Sequence, residues 1–161
     1  MIDKNERIIQ EIRRAVEKLK DKTGRPVEPN IKELVVGLWW CGIQTESSCE
    51  GRLDSGPRCP WVNTPFDQAE KIARVLSWQN LSNKKRNKNT WIIKPGVSLK
   101  LMPQKINVPL EKLHERAIEF GLALQSLPDE WFKEKCFRTR DKMKKRFSMS
   151  SDDRHAFLFL K

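Results

Sequence analysis

The stretch from Pro29 to Trp40 does most to constrain the fold. Ile31, Leu34, Val35, Leu38 and Trp39 recur at i, i+3, i+4, i+7 and i+8, the spacing of a helix that buries one face. Pro29 suits the first turn of such a helix, where its missing N–H is not needed, and Gly42 predicts its end. Ile43 to Ser47 then predicts a short strand leading into a polar run, T-E-S-S-C-E-G-R from Thr45 to Arg52. Hydroxyls, a thiol, a glycine and an arginine bury little apolar area, so core packing does not account for this run. Its chemistry predicts a surface that holds something small, polar and anionic.

The remaining elements follow from periodicity and turn residues. Asp3 and Glu6 predict a capping box ahead of a helix carrying Ile8, Ile9, Ile12, Val16 and Leu19. Asp21 to Pro29 is turn-rich, and Gly51 to Pro60 reads as a loop, with a brief strand at Trp61 and Val62. Thr64, Pro65 and Asp67 predict a helix start, with Ala69, Ile72, Ala73 and Leu76 as its core stripe. Pro95 and Gly96 divide a hairpin, Trp91 to Lys94 and Val97 to Met102, in which Val97, Leu99 and Leu101 alternate with polar residues. Pro109 opens a fourth helix with Leu110, Leu113, Ala117, Phe120 and Leu124 inward, and Ser126, Pro128 and Asp129 announce a fifth running towards Arg146. The apolar stretch His155 to Leu160 predicts a docked strand or short helix. This order predicts an α+β protein: a two-layer α/β sandwich with a small mixed sheet of four or five strands covered by about five helices. A single domain is expected over residues 1–161, with a basic C-terminal extension at 133–161.

Charge narrows the partners. A formal net charge of +11 makes nucleic acid the first candidate, RNA before DNA. Lys84, Lys85, Arg86, Lys88 and Lys94 form one cluster, and Lys133 to Arg146 holds eight basic residues against two acidic ones. Within these clusters Lys84, Lys85, Arg86, Lys88, Arg138, Arg140, Lys144, Lys145 and Arg146 are the candidate phosphate contacts. Trp78, Trp91 and Trp131 lie near them, either as base-stacking platforms or as core anchors. No apolar run approaches the roughly 18 residues needed to span a bilayer. The first residues lack the apolar core of a signal peptide, and Cys41, Cys49, Cys59 and Cys136 follow no disulfide-scaffold spacing. A cytoplasmic protein with reduced thiols and no membrane partner is expected.

Several familiar chemistries lack their residues. The cysteines form no C-x-x-C pair, so no metal site is expected, and the scattered glycines spell neither G-x-G-x-x-G nor a P-loop. Cys49, beside backbone N–H groups and Arg52, is expected to have a lowered pKa. A cysteine hydrolase also needs a base, and only His114 and His155 are present.

The motifs Asp21-Lys22-Thr23, Val27-Glu28, Ile31, Leu34-Val35, Thr45 and Ser47-Ser48-Cys49-x-Gly51-Arg52 together resemble the wybutosine-synthesis tRNA methyltransferase family. That family carries a D-K-S turn, an I-x-x-L-V helix and an S-S-C-x-G-R signature in this order. Lys94-Pro95 with Val97 to Leu101, and Leu110 to Gly121, are similar to its later strand and helix. The chain departs from the pattern where Pro60-Trp61-Val62-Asn63 replaces a Gly-rich strand ending in His. It departs again where Ala123 to Ser126 replaces an asparagine-serine-glycine turn, and Glu50 puts a carboxylate inside the signature. The S-C-E-G and P-W-V pairing is also similar to small bacterial and phage-type proteins that carry S-C-E-G-H.

The resemblance implies S-adenosylmethionine as cofactor and methyl transfer to a tRNA base. Thr45, Ser47, Ser48, Gly51, Asp21 and Lys22 would bind the cofactor, and Cys49, Ser48 and Arg52 would serve the reaction. Two alternatives accompany it: a nucleic-acid-binding module without enzymatic activity, and a thiol-dependent enzyme using Cys49.

Overall fold

The structure, a computed structural model, describes residues 2–53 and 58–148. Helix α1 (Lys4–Lys18) is followed by α2 (Pro29–Trp40), strands β1 (Ser47–Cys49) and β2 (Trp61–Thr64), and α3 (Ala69–Lys85). The hairpin β3 (Trp91–Pro95) and β4 (Leu99–Pro103) comes next, then α4 (Leu110–Gln125) and α5 (Thr139–Ser148). The strands lie in the order β1-β2-β4-β3, and every neighbouring pair is antiparallel. The fold is thus mixed α+β, with five helices as expected, but the sheet is wholly antiparallel where a mixed one was expected.

Pro29 opens α2, and Ile31, Leu34, Val35 and Leu38 are buried as their spacing predicts. Val36, Gly37 and Trp40 are buried as well, because α2 is the central helix, packed between α1, α4 and the β1 edge. A Cβ on Gly37 would lie 2.6 Å from the Gly121 carbonyl oxygen, and one on Gly121 would lie 2.2 Å from the Glu33 backbone. Two glycines therefore let α2 and α4 approach until their backbones touch.

Four local expectations are corrected. The Asp3 side chain makes no capping bond to α1. The strand at Ile43 to Ser47 begins only at Ser47, because Ile43 turns back to give its N–H to the Leu38 carbonyl at 2.9 Å and plugs the core. Val97 sits fully exposed at the hairpin tip, not in the inward row with Leu99 and Leu101. In α3, which follows a 3-10 turn at Phe66–Gln68, Ala69 and Ala73 are exposed while Lys71, Ile72, Val75, Gln79 and Asn83 are buried.

That polar burial is fully engaged. Lys71 Nζ donates to Gly42 O (2.9 Å), Thr139 Oγ1 (2.6 Å) and Gln68 Oε1 (3.3 Å), tying together the ends of α2, α3 and α5. Asn80 brackets Trp91, donating to its carbonyl and accepting its N–H, each at 2.8 Å. The expected fifth helix is broken into 3-10 turns at Asp129–Phe132 and Lys135–Phe137 before α5. Phe132, Phe137, Arg140 and Phe147 are buried, so these side chains anchor the otherwise largely exposed segment 133–148 on the core. The apolar stretch 155–160 lies outside the described residues.

Candidate functional site

A cleft of about 450 Å³ opens between β1 and the connection from α1 to α2. Its floor is apolar, with Val27, Val35, Trp39 and Trp61. Its rim alternates in charge, with Lys20, Arg25 and Arg52 against Asp21, Glu28 and Glu46. Thr45, Ser47, Ser48 and Cys49 complete the wall, so most of the T-E-S-S-C-E-G-R run faces one space together with Asp21. A volume in this range suits a nucleoside-sized ligand. A second hollow of about 500 Å³ lies where α1 meets the end of α4, and none of the candidate residues lines it.

Each wall has a local cause. The D-K-T turn closes on itself: Asp21 Oδ1 accepts from Thr23 N–H (2.8 Å), Thr23 Oγ1 (2.6 Å) and Arg25 N–H (2.9 Å). These bonds hold the Asp21 carboxyl below the usual carboxylate range, while Gly24 supplies the left-handed corner at φ 82°. Lys22 does not line the cleft. Gly51 is also absent from the wall, and its part is steric. Its φ is 90°, and a Cβ there would lie 2.8 Å from the Cys59 carbonyl carbon, so only glycine lets the two chain segments pass.

Glu50, the charge inside the signature, turns away from the rim. Its Oε2 accepts the Asn30 N–H at 2.9 Å, satisfying an orphan donor in the first turn of α2, while Glu28 Oε1 accepts the Glu50 N–H at 3.1 Å. Arg52 Nη2 reaches only 3.9 Å from Glu28, and both side chains remain partly exposed. Arg52 thus stays at the cleft mouth in a weak pair. Trp39 Nε1 donates to Thr45 Oγ1 at 2.9 Å, which fixes one indole against the hydroxyl wall. The indole N–H of Trp61 is buried without a partner among the described residues.

The surroundings of Cys49 favour its neutral thiol. Burial pushes its pKa up, and the Glu28 carboxylate adds to the rise; the Gly51 N–H at 3.3 Å and Arg52 oppose it without prevailing. The expectation of a lowered pKa fails chiefly because the thiol is partly buried, and secondly because Glu28, remote in the sequence, shares the site. His114 is occupied nearby: its Nε2 meets the Glu50 carbonyl at 2.8 Å, and a carbonyl only accepts, so that nitrogen donates. His155 lies outside the described residues. Cys41 and Cys59 are buried, Cys41 as a small hydrophobe. Among the described residues no group of three or more His, Cys, Asp or Glu is placed to hold a metal ion.

The basic clusters are split by the fold. Lys84, Lys85 and Arg86 are exposed at the end of α3, and Arg138 and Lys145 are exposed near α5. Lys88 pairs with Glu119 at 2.6 Å, and Lys144 with Asp129 at 2.7 Å. The Arg146 guanidinium lies 5.2 Å from the Phe147 ring. Arg140 is a correction, since it is 2% exposed. Its Nε donates to the Trp40 carbonyl at 2.8 Å, and its guanidinium lies 3.6 Å from the Phe132 ring centroid. Such a buried cation does not contact phosphate.

Of the two readings offered for these indoles, Trp91 takes the core-anchor one, buried on Phe120, while Trp131 and Trp78 are half-buried against each other, with Trp131 also packed on Phe132 and Phe137. The site residues passed over in the sequence are Glu28, Trp39 and Trp61. Each was visible in the sequence for another reason: Glu28 in the Val27-Glu28 pair, Trp39 in the α2 stripe and Trp61 in the Pro60 to Asn63 run.

No family model, curated protein or solved structure matches this chain. Among the described residues no helix is long and apolar enough to cross a membrane.

Proposed function

We propose that the protein is RNA-associated and uses the β1 cleft to bind S-adenosylmethionine for methyl transfer to a tRNA base. The observation that supports this reading is the convergence of two separated motifs, the D-K-T turn and the S-S-C-E-G-R run, on one cleft with an indole-lined floor. The residues fit the cofactor by chemistry. Trp39 and Trp61 offer apolar faces for adenine, Asp21, Glu28 and Glu46 offer acceptors for ribose hydroxyls and an ammonium, and Arg25 and Arg52 offer donors for a carboxylate.

When bound, the cofactor supplies an electrophilic methyl group, and the chain's task is to align donor and acceptor and to exclude water. That task requires no protein nucleophile, which agrees with the raised pKa of Cys49. Exposed Lys84, Lys85 and Arg86 are the phosphate contacts of this reading.

The test is calorimetric titration of the purified chain with S-adenosylmethionine, alongside quenching of tryptophan fluorescence and gel shifts with tRNA. Saturable binding that Arg52→Ala and Trp39→Leu weaken supports the reading. Absence of binding, with salt-sensitive RNA binding retained, would leave a nucleic-acid module without the cofactor.

A further inference from the structure

The four strands contain no aspartate or glutamate (S-S-C, W-V-N-T, W-I-I-K-P and L-K-L-M-P). Burial alternates along the two central strands, β2 and β4. Val62, Thr64, Leu99 and Leu101 are buried on the inner face, while Trp61, Asn63, Lys100 and Met102 are only half-buried on the outer one. Trp61, Ile92 and Met102 lie outside the core cluster that takes in Val62, Trp91, Leu99 and Leu101.

The register sorts the outer face into two rows. Ser47 faces Asn63, Asn63 faces Lys100, and Lys100 faces Lys94. Beside them Cys49 faces Trp61 and Ile92 faces Met102, with Trp61 and Met102 each one residue beyond the Val62–Leu101 pair of the β2–β4 ladder. Two features of these rows call for an anion and a flat ligand. Lys94 and Lys100 stand directly opposite each other, a like-charge pair that destabilises a sheet unless something negative lies between them. Lys100 Nζ is also 5.0 Å from the Trp61 ring centroid, which puts a cation beside an aromatic plate.

We infer that the outer face of the sheet is a platform for a single-stranded segment of RNA, with bases against Trp61 and Met102 and phosphates between Lys94 and Lys100. The inference rests on the RNA reading above and names the surface that reading lacked. Aromatic plates on a four-stranded antiparallel sheet take two or three unpaired bases in other RNA readers, and a strand free of carboxylates offers the backbone no repulsion. Trp61 also lines the β1 cleft, so a strand crossing the platform ends at that cleft. Unpaired RNA is thereby delivered to the candidate methyl-transfer site from the side.

The experiment is fluorescence anisotropy of a labelled ten-nucleotide oligouridylate with the full chain, over a range of salt, joined to photocrosslinking from 4-thiouridine. Trp61→Leu should weaken binding about ten-fold or more. Lys94→Gln with Lys100→Gln should lower the salt slope by about 1.4, and because Lys94 is exposed and Lys100 half-buried this pair tests the idea even if Trp61→Leu unfolds. Crosslinks should fall on β2 and β4. If oligouridylate binds but both variants retain full affinity, with crosslinks confined to Lys84–Arg86, the platform is refuted while the RNA reading stands. If the unmodified chain binds neither oligouridylate nor tRNA, both fail together. A concentration-dependent dimer that Met102→Lys dissolves would assign the face to a second copy of the chain and overturn the proposal.

Discussion

Replacing Arg140 with alanine separates a buried staple from a surface cation. The guanidinium donates to the Trp40 carbonyl at 2.8 Å, at the end of α2, and a hydrogen bond from a charged group is worth about 1.5–3 kcal/mol. It lies 3.6 Å from the Phe132 centroid and 4.2 Å from that of Trp40, a desolvated cation–π arrangement worth about 2 kcal/mol. The pair with Asp129 at 2.9 Å adds under about 1 kcal/mol, because Asp129 is 44% exposed and screened by solvent. The same atoms serve several of these contacts, so the contributions overlap and the expected loss is about 3–4 kcal/mol. With a urea slope of about 2 kcal/mol/M, the unfolding midpoint should fall by about 1.5–2 M. Lys84→Gln, Lys85→Gln and Arg86→Gln together should move the midpoint by less than about 0.7 M, since each exposed substitution seldom exceeds about 0.5 kcal/mol. Urea melts followed by tryptophan fluorescence, and salt titrations of RNA binding, read the two effects separately. An Arg140→Ala protein with an unshifted midpoint and a reduced salt slope would refute the buried-staple argument.

Gly121→Ala should destabilise the fold by about 2–3 kcal/mol, because the new Cβ would lie 2.2 Å from the Glu33 backbone and force α2 and α4 apart against a gain in helix propensity; a thermal melt should drop by about 5–10 °C. Alkylation of Cys49 by iodoacetamide should rise only above the ordinary thiol pKa of about 8.5, and Glu28→Gln should shift the profile to lower pH, as followed by peptide mass spectrometry. Burial would raise the pKa of Asp129, but hydrogen bonds from Lys144, Arg140 and Asn5 outweigh it and hold the carboxyl well below the usual aspartate range. A depressed folded pKa contributes stability that is present above the unfolded value of about 3.9 and lost as pH falls through the folded one. Acid unfolding of Asp129→Asn should therefore be flatter below about pH 4 than that of the unmodified chain.

Local signals carried much of the fold. Pro29 and the stripe from Ile31 to Leu38 placed α2, Ile8, Ile12 and Val16 placed α1, and Pro95-Gly96 placed the hairpin, because helix periodicity and turn chemistry act within a few residues. Where a distant partner decided the outcome, the same signals misled. The buried face of α3 is set by Lys71 and its acceptors in the α2 and α5 ends, not by the alanines that matched a helical stripe.

The candidate site divides in the same way. The sequence by itself determined that Thr45 to Arg52 is too polar for the core and that the chain carries more positive charge than its own carboxylates balance. Only the tertiary structure decided which of those residues face a common space and which cations reach solvent. Gly51 and Glu50 proved to be builders of the site's frame, while Glu28, Trp39 and Trp61 joined its wall. Arg140 left the surface for the core. Burial, pKa and pairing depend on atoms brought near from remote parts of the chain, and a residue's neighbours in sequence do not specify them.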